Sequence, residues 1–172
     1  MTSTDKSPEA LQVQLDALLE GMQRLADIEE ITQLKAKYFR AVDTKDWNLF
    51  ADEVLTEDAH FDMEGTLVDG RDEIVAFVSK TIRYATTVHH GHTREITITG
   101  PSNATGLWAM YDYVRWHKRD GSEKVIHGYG HYDEEYVRTP AGWRLRSSTL
   151  TRLRVDTAII EPEQRDEGDT PR

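Results

Sequence analysis

Three stretches decide the fold: residues 104–118, ATGLWAMYDYVRWHK; residues 124–138, KVIHGYGHYDEEYVR; and residues 143–155, WRLRSSTLTRLRV. Aromatic and β-branched residues recur in each, and none contains proline, so each reads as a long strand. Asp120-Gly121 separates the first two, a strong hairpin signal. Pro140-Ala141-Gly142 separates the second and third. Residues 88–99 alternate ahead of them, with Ile96 and Ile98 on one face, and add a fourth strand. Four consecutive strands joined by tight turns form an antiparallel meander.

What precedes the meander is helical. Leu11, Leu15, Leu18, Met22 and Leu25 recur at spacings of four and three, and Ile28, Ile31, Leu34 and Tyr38 continue the stripe. The pattern predicts a helix over 8–42 with a break near Gly21, Pro8 in its first turn and Ser7 as its cap. Over 11–25 the spacing is that of two heptads. Asp43 to Trp47 reads as a turn, with Asp46 capping a short helix over 47–53. A strand over 59–62 follows, then a hairpin-like return over 66–69 between Gly65 and Gly70. Residues 71–83 form a second helix, with Ile74, Phe77, Val78 and Ile82 on its apolar stripe. Helices first and strands after make the class α+β: a curved antiparallel sheet wrapped around N-terminal helices. Such a cone leaves a cavity, a common place for an apolar ligand. The expected organisation is a helical extension over 1–23, one domain over 24–156 and an acidic tail over 157–172.

Composition narrows the function. The 172 residues carry a net charge of −10, and almost all of it lies at the two ends. Residues 31–155 hold 18 acids against 17 bases. Phosphate binding needs a basic excess that this nearly neutral body lacks, so neither nucleic acid nor an anionic membrane surface is an expected partner, and a small, largely uncharged ligand suits it. There is no cysteine, which excludes a disulfide framework, a thiolate metal site and a cysteine nucleophile, and makes a reducing cytoplasm the expected location. No glycine-rich phosphate loop, dinucleotide fingerprint or nucleophile elbow is present, so an enzyme of this sequence is expected to need no cofactor.

Histidines are the chemically pointed feature. In His89-His90-Gly91-His92 the first faces opposite to the other two on a strand. His90, His92 and Glu95 make a poor metal set, because Glu95 alternates away from both histidines, and His127 and His131 share a face of a later strand. No metal is expected. Proton transfer asks for less: one imidazole aimed into a dry cavity and one carboxylate to hold its tautomer. His89 and Asp43 meet that need, and each also has a plain structural reading, as a hydrogen-bonded histidine and a helix-end aspartate. Tyr38 offers an O–H donor from the same helix as Asp43, or packs as a core tyrosine. Phe61, Trp108, Met110, Tyr129 and His131 are the expected substrate contacts.

Four strings carry a family resemblance: Tyr38 to Trp47, Thr87 to His92, Gly142 to Leu145, and Asp58 to Phe61. Together with the order of elements over 24–155, they resemble the SnoaL-like branch of the nuclear-transport-factor-2-like superfamily. The site pattern is similar to that of the scytalone dehydratase, bile-acid dehydratase and hexachlorocyclohexane dehydrochlorinase group. The resemblance implies a cone-shaped α+β barrel and a cofactorless lyase acting on a bulky, apolar, aromatic or steroid-like ring compound, by loss of water or by retro-aldol cleavage. It implies His89 as general base, Asp43 as its partner and Tyr38 as an aid to the substrate oxygen. It also implies a cation from the last strands, with Arg152 the candidate and Arg146 and Arg154 alternatives. His90-Gly91-His92 departs from the group's pattern. An isomerase or cyclase using the same base, and a non-catalytic ligand-binding or protein-interaction domain, are the other readings. The group also implies a homo-oligomer, a trimer before a dimer, and the exposed-looking stripe from Leu11 to Leu25 fits that expectation.

Overall fold

The computed structural model describes residues 7–162. Helix α1 runs without interruption over Pro8–Thr44, so the break expected at Gly21 does not occur. Helix formers on both sides outweigh the cost of one interior glycine, about 1 kcal/mol. Ser7 caps it, its hydroxyl accepting from the Ala10 N–H at 3.3 Å. It ends at Lys45, which takes the left-handed conformation with φ 62° and bonds back to Ala41 and Val42. The Asp46 carboxylate accepts from the Leu49 N–H and starts a short helix α2, Trp47–Leu49, which widens into a π-helical turn over Phe50–Val54.

Strands β1 (Leu55–Met63) and β2 (Thr66–Asp69) form a hairpin, and helix α3 (Arg71–Ile82) follows. Strands β3 (Ala85–Gly100), β4 (Asn103–His117), β5 (Glu123–Thr139) and β6 (Gly142–Ile160) form the meander. The sheet has six strands in the order β2-β1-β6-β5-β4-β3. All neighbours are antiparallel except β1 and β6, which are parallel. The sheet curves without closing, and α1 and α3 lie against its concave face. Its last strand reaches Ile160, past the expected domain end at 156; residues 163–172 of the expected tail and residues 1–6 of the extension lie outside the described residues. Among the described residues no helix is long and apolar enough to cross a membrane.

The core joins Ile31, Leu34 and Val42 of α1 to Phe50, Phe61, Ile74, Tyr136 and Leu145. At its centre lies a buried ion pair. The Lys35 ammonium donates to Glu134 at 2.5 Å, and Ser148 and Tyr136 donate to the same carboxylate. The rings of Tyr38, Phe39 and Tyr132 surround the ammonium at 3.9–4.7 Å from their centroids. This pair pins α1 to β5 and so fixes where Tyr38 and Asp43, further along the same helix, stand relative to the sheet.

Candidate active site

The end of α1 meets the start of β3. Asp43 lies in the last turn of the helix, and its carboxylate receives three hydrogen bonds from the facing strand. The His89 Nδ1 lies 2.6 Å from Oδ1, the His89 backbone N–H donates to Oδ2 at 2.9 Å, and Thr87 donates to Oδ1 at 2.9 Å. Lys45 donates to the Thr87 hydroxyl at 2.6 Å, which leaves the Thr87 proton directed at Asp43. The left-handed turn at Lys45 brings its ammonium back to this point. Burial works to raise the Asp43 pKa, but the bonds from His89 and Thr87 outweigh it and hold the carboxyl below its ordinary value. An ionised carboxylate only accepts, so Nδ1 of His89 carries a proton, and in the neutral ring the lone pair lies on Nε2.

His89 lines a cavity of about 190 Å³. Tyr38 and Val42 of α1, Phe61 and Met63 of β1, and Phe77 and Ile82 of α3 supply apolar walls. Burial and the nearby Glu134, Asp112 and Asp43 carboxylates push the Tyr38 phenol far up, so it stays a neutral O–H donor. Tyr132, also on the wall, is raised for the same first reason.

A second charged pair closes the far side. His89 stands opposite Asp112 in register, and Asp112 stands opposite Gly128. Arg152 binds Asp112 through both ends of its guanidinium, Nη1 to Oδ1 at 3.1 Å and Nη2 to Oδ2 at 2.7 Å, and its Nε donates to Glu64 at 3.1 Å. Burial opposes the Arg152 charge, yet Asp112 and Glu64 more than offset it and raise its pKa. Gly128 makes room for the pair: a Cβ there would stand 1.7 Å from Arg152 Nη1 and 2.3 Å from Asp112 Oδ1.

Of the three candidate arginines, Arg152 is the one that lines the cavity. Two bulges in β6 explain this. At the first, Glu135 pairs Ser147 while Tyr136 pairs Leu145, so Arg146 is skipped and turns outward to Asp58 at 3.3 Å. At the second, Gly130 pairs Arg152 while Tyr129 pairs Arg154, so Arg152 takes the inward phase and Arg154 is left on the outer face with Asp156.

The structure brings together Asp43, His89, Tyr38, Arg152 and Phe61 around one cavity. It does not bring the other four expected contacts there. Trp108 and Met110 point inward but pack against Tyr132 in a separate core cluster, with the Trp108 N–H donating to the Tyr136 hydroxyl at 2.9 Å. Tyr129 is opposite Tyr111 in register and shares its outer face, and His131 lies on the same phase of β5. Alternation inside β5 was right, but its phase relative to β4 is set by pairing across the turn. His90 stacks on Tyr111 with centroids 5.7 Å apart, on the outer face away from His89. Among the described residues no three His, Asp or Glu side chains converge to hold a metal ion. Asp112, Gly128 and Tyr132 escaped the sequence reading. No spacing within a single strand signals them, because their roles come from the pairing of β4 with β5 and of β5 with β6.

Residues 23–149 match the family model of the SnoaL-like domain. The chain is also similar to solved structures. The Kfla4162 protein from Kribbella flavida is 25% identical with a TM-score of 0.71, over 77% of this chain and 95% of that one. A candidate scytalone dehydratase from Novosphingobium aromaticivorans is 17% identical with a TM-score of 0.68, over 84% and 97%. Hexachlorocyclohexane dehydrochlorinase LinA-type3 from Novosphingobium barchaimii is 17% identical with a TM-score of 0.67, over 80% and 94%. At these last two identities the likeness is one of fold.

Proposed function

This chain belongs to the SnoaL-like domain family, and from that premise we propose that it is a cofactor-independent lyase in which His89 is the general base. The observation that carries the reading is the 2.6 Å contact between Asp43 and His89 at the wall of a largely apolar cavity. A carboxylate that fixes the tautomer of a cavity imidazole is the arrangement a general base needs.

In this reading Nε2 of His89 removes a proton from a substrate carbon next to an electron-withdrawing group. The C–H electron pair becomes the new C=C bond as the leaving group departs. Asp43 stabilises the imidazolium. For loss of water, the imidazolium returns its proton to the departing hydroxyl. In the same reading the Tyr38 O–H and the Arg152 guanidinium, both on the cavity wall, hold the substrate's oxygen. Arg152 is already paired with Asp112, so its role is to orient and to screen rather than to deliver a full free charge.

Cavity size narrows the substrate. An apolar cavity of about 150 Å³ holds benzene. A volume near 190 Å³ therefore favours a small one- or two-ring compound over a steroid-sized skeleton. The named relatives of this fold include a candidate scytalone dehydratase and a hexachlorocyclohexane dehydrochlorinase, whose ring substrates supply the first probes.

The test is to incubate the purified protein separately with scytalone and with hexachlorocyclohexane, in deuterated and ordinary water, and to follow products by mass spectrometry. Loss of water or hydrogen chloride, absent in His89→Ala, supports the lyase. Deuterium incorporation without loss of mass would assign the same base to an isomerase. Tight binding with neither exchange nor elimination would assign a binding domain and sink the enzymatic reading.

A further inference from the structure

The first half of α1 is exposed in its own protomer. Every residue from 7 to 26 is exposed, and burial begins only at Asp27. Leu11, Leu15, Leu18, Met22 and Leu25 expose 49–68% of their surface along one seam. In heptad terms Leu15 and Met22 stand at a, and Leu11, Leu18 and Leu25 at d. Monomeric proteins rarely leave so long an apolar stripe in water.

Two further observations say what covers it. The first is charge. The positions flanking the seam are Gln12, Leu19 and Ala26 at e, and Gln14, Gly21 and Ile28 at g. None is charged. The four charges of this segment, Glu9, Asp16, Glu20 and Arg24, sit at b, c and f, away from the seam. Flanking charges set partner choice and orientation in such a seam, and like charges brought face to face reject a copy. Here two copies of the same acidic helix meet without placing like charges face to face, and no charge code exists for an unlike partner.

The second is Gly21. A Cβ built there meets nothing within 4 Å, so nothing inside the protomer requires a glycine. In an exposed helix it only weakens the helix relative to alanine. Beside a seam, a glycine lets a neighbouring helix backbone approach closely.

We propose that α1 residues 8–26 are a self-association surface, on which a second copy of this chain lays the same helix face with Gly21 at the close approach. The contact is isologous and joins protomers whose cavities are complete on their own. It does not depend on the reaction assigned to the cavity.

The experiment uses the full chain and multi-angle light scattering over about 1–50 μM. The wild type is expected at two or more times the 19.8 kDa of one chain. Leu15→Glu with Leu18→Glu is expected near one chain mass, with an unchanged circular-dichroism spectrum, because neither residue belongs to the core. Gly21→Ala separates a packing role from a chance glycine. If the helix is unpartnered, alanine raises thermal stability and leaves the mass alone. If a second helix approaches there, alanine weakens association at least tenfold. A wild type at 19.8 kDa throughout overturns the proposal. So does an oligomer that survives the double substitution, which would move the contact to the exposed Leu153, Val155, Ile159 and Ile160 of β6.

Discussion

Replacing Asp43 by Asn removes one charge and almost no volume, and the hydrogen bonds dictate the outcome. Oδ2 accepts the His89 backbone N–H, while Oδ1 accepts from Thr87 and from the His89 ring. An amide has only one accepting atom. If its oxygen faces the ring, its NH₂ faces the His89 backbone N–H, and two buried donors are left unmatched. If its oxygen takes the backbone N–H, its NH₂ donates to Nδ1, the His89 proton moves to Nε2, and only the Thr87 hydroxyl loses its acceptor. The second arrangement is cheaper and puts a proton where the base needs a lone pair. A wrong tautomer of this kind costs about 10⁴ in kcat, or ~5.5 kcal/mol of barrier. Stability falls less, by ~1.5–3 kcal/mol for one charged hydrogen bond lost. Steady-state kinetics on a substrate found as above gives the first number, and thermal unfolding the second. Imidazole ¹⁵N shifts of His89 read the tautomer with no substrate at all. A variant that keeps more than a tenth of wild-type kcat, or whose His89 still carries its proton on Nδ1, would refute this account of the dyad.

Gly128→Ala should expel the Arg152 guanidinium, given the 1.7 Å approach, and lower kcat/KM by ~10²-fold, as Arg152→Gln should. A Gly128→Ala enzyme with normal kinetics would mean that Arg152 does not act in the site. Lys35→Met leaves the Glu134 carboxylate buried without its cation and should destabilise by ~3–5 kcal/mol in urea unfolding, while adding Glu134→Gln should recover part of that loss. Equal losses in the single and double variants would deny the coupling. Asp43 and Asp27 both have lowered pKa values: burial raises each, but His89 and Thr87 at Asp43, and Arg138 and Gln23 at Asp27, outweigh it. Their stabilisation is therefore present above the ordinary carboxyl pKa of 3.8 and is lost as pH falls through the lower folded values. The melting temperature should drop steeply below about pH 4, and Asp27→Asn should flatten that slope; an unchanged slope would show that Asp27 is not a contributor.

Periodicity and turn chemistry act over a few residues, and what they control was legible in the sequence. The long strands of the meander, Asp120-Gly121 between β4 and β5, Ser7 and Asp46 as helix caps, and the opposite facing of His89 and His90 all follow from local rules. Asp43 and His89 were candidates by position, one ending a helix and the other opening a strand, but it was the family resemblance, not local spacing, that set them above their plain structural readings. What depended on the alignment of distant segments was not legible. The parallel pairing of β1 with β6 joins residues about ninety positions apart, as Leu55 with Leu145 shows. The bulges that skip Arg146 and Leu153 decide which arginine turns inward, and no spacing within β6 announces them. Asp112 looks like any strand aspartate until Gly128 leaves room for Arg152 beside it. Trp108 looks like a ligand contact until Tyr136 takes its N–H. Lys35 looks like a solvent-facing helix lysine until Glu134, 99 residues later, folds beneath it. A side chain's direction within its own element is set by its neighbours in sequence, but its partner is set by register, and register is an outcome of packing the whole sheet.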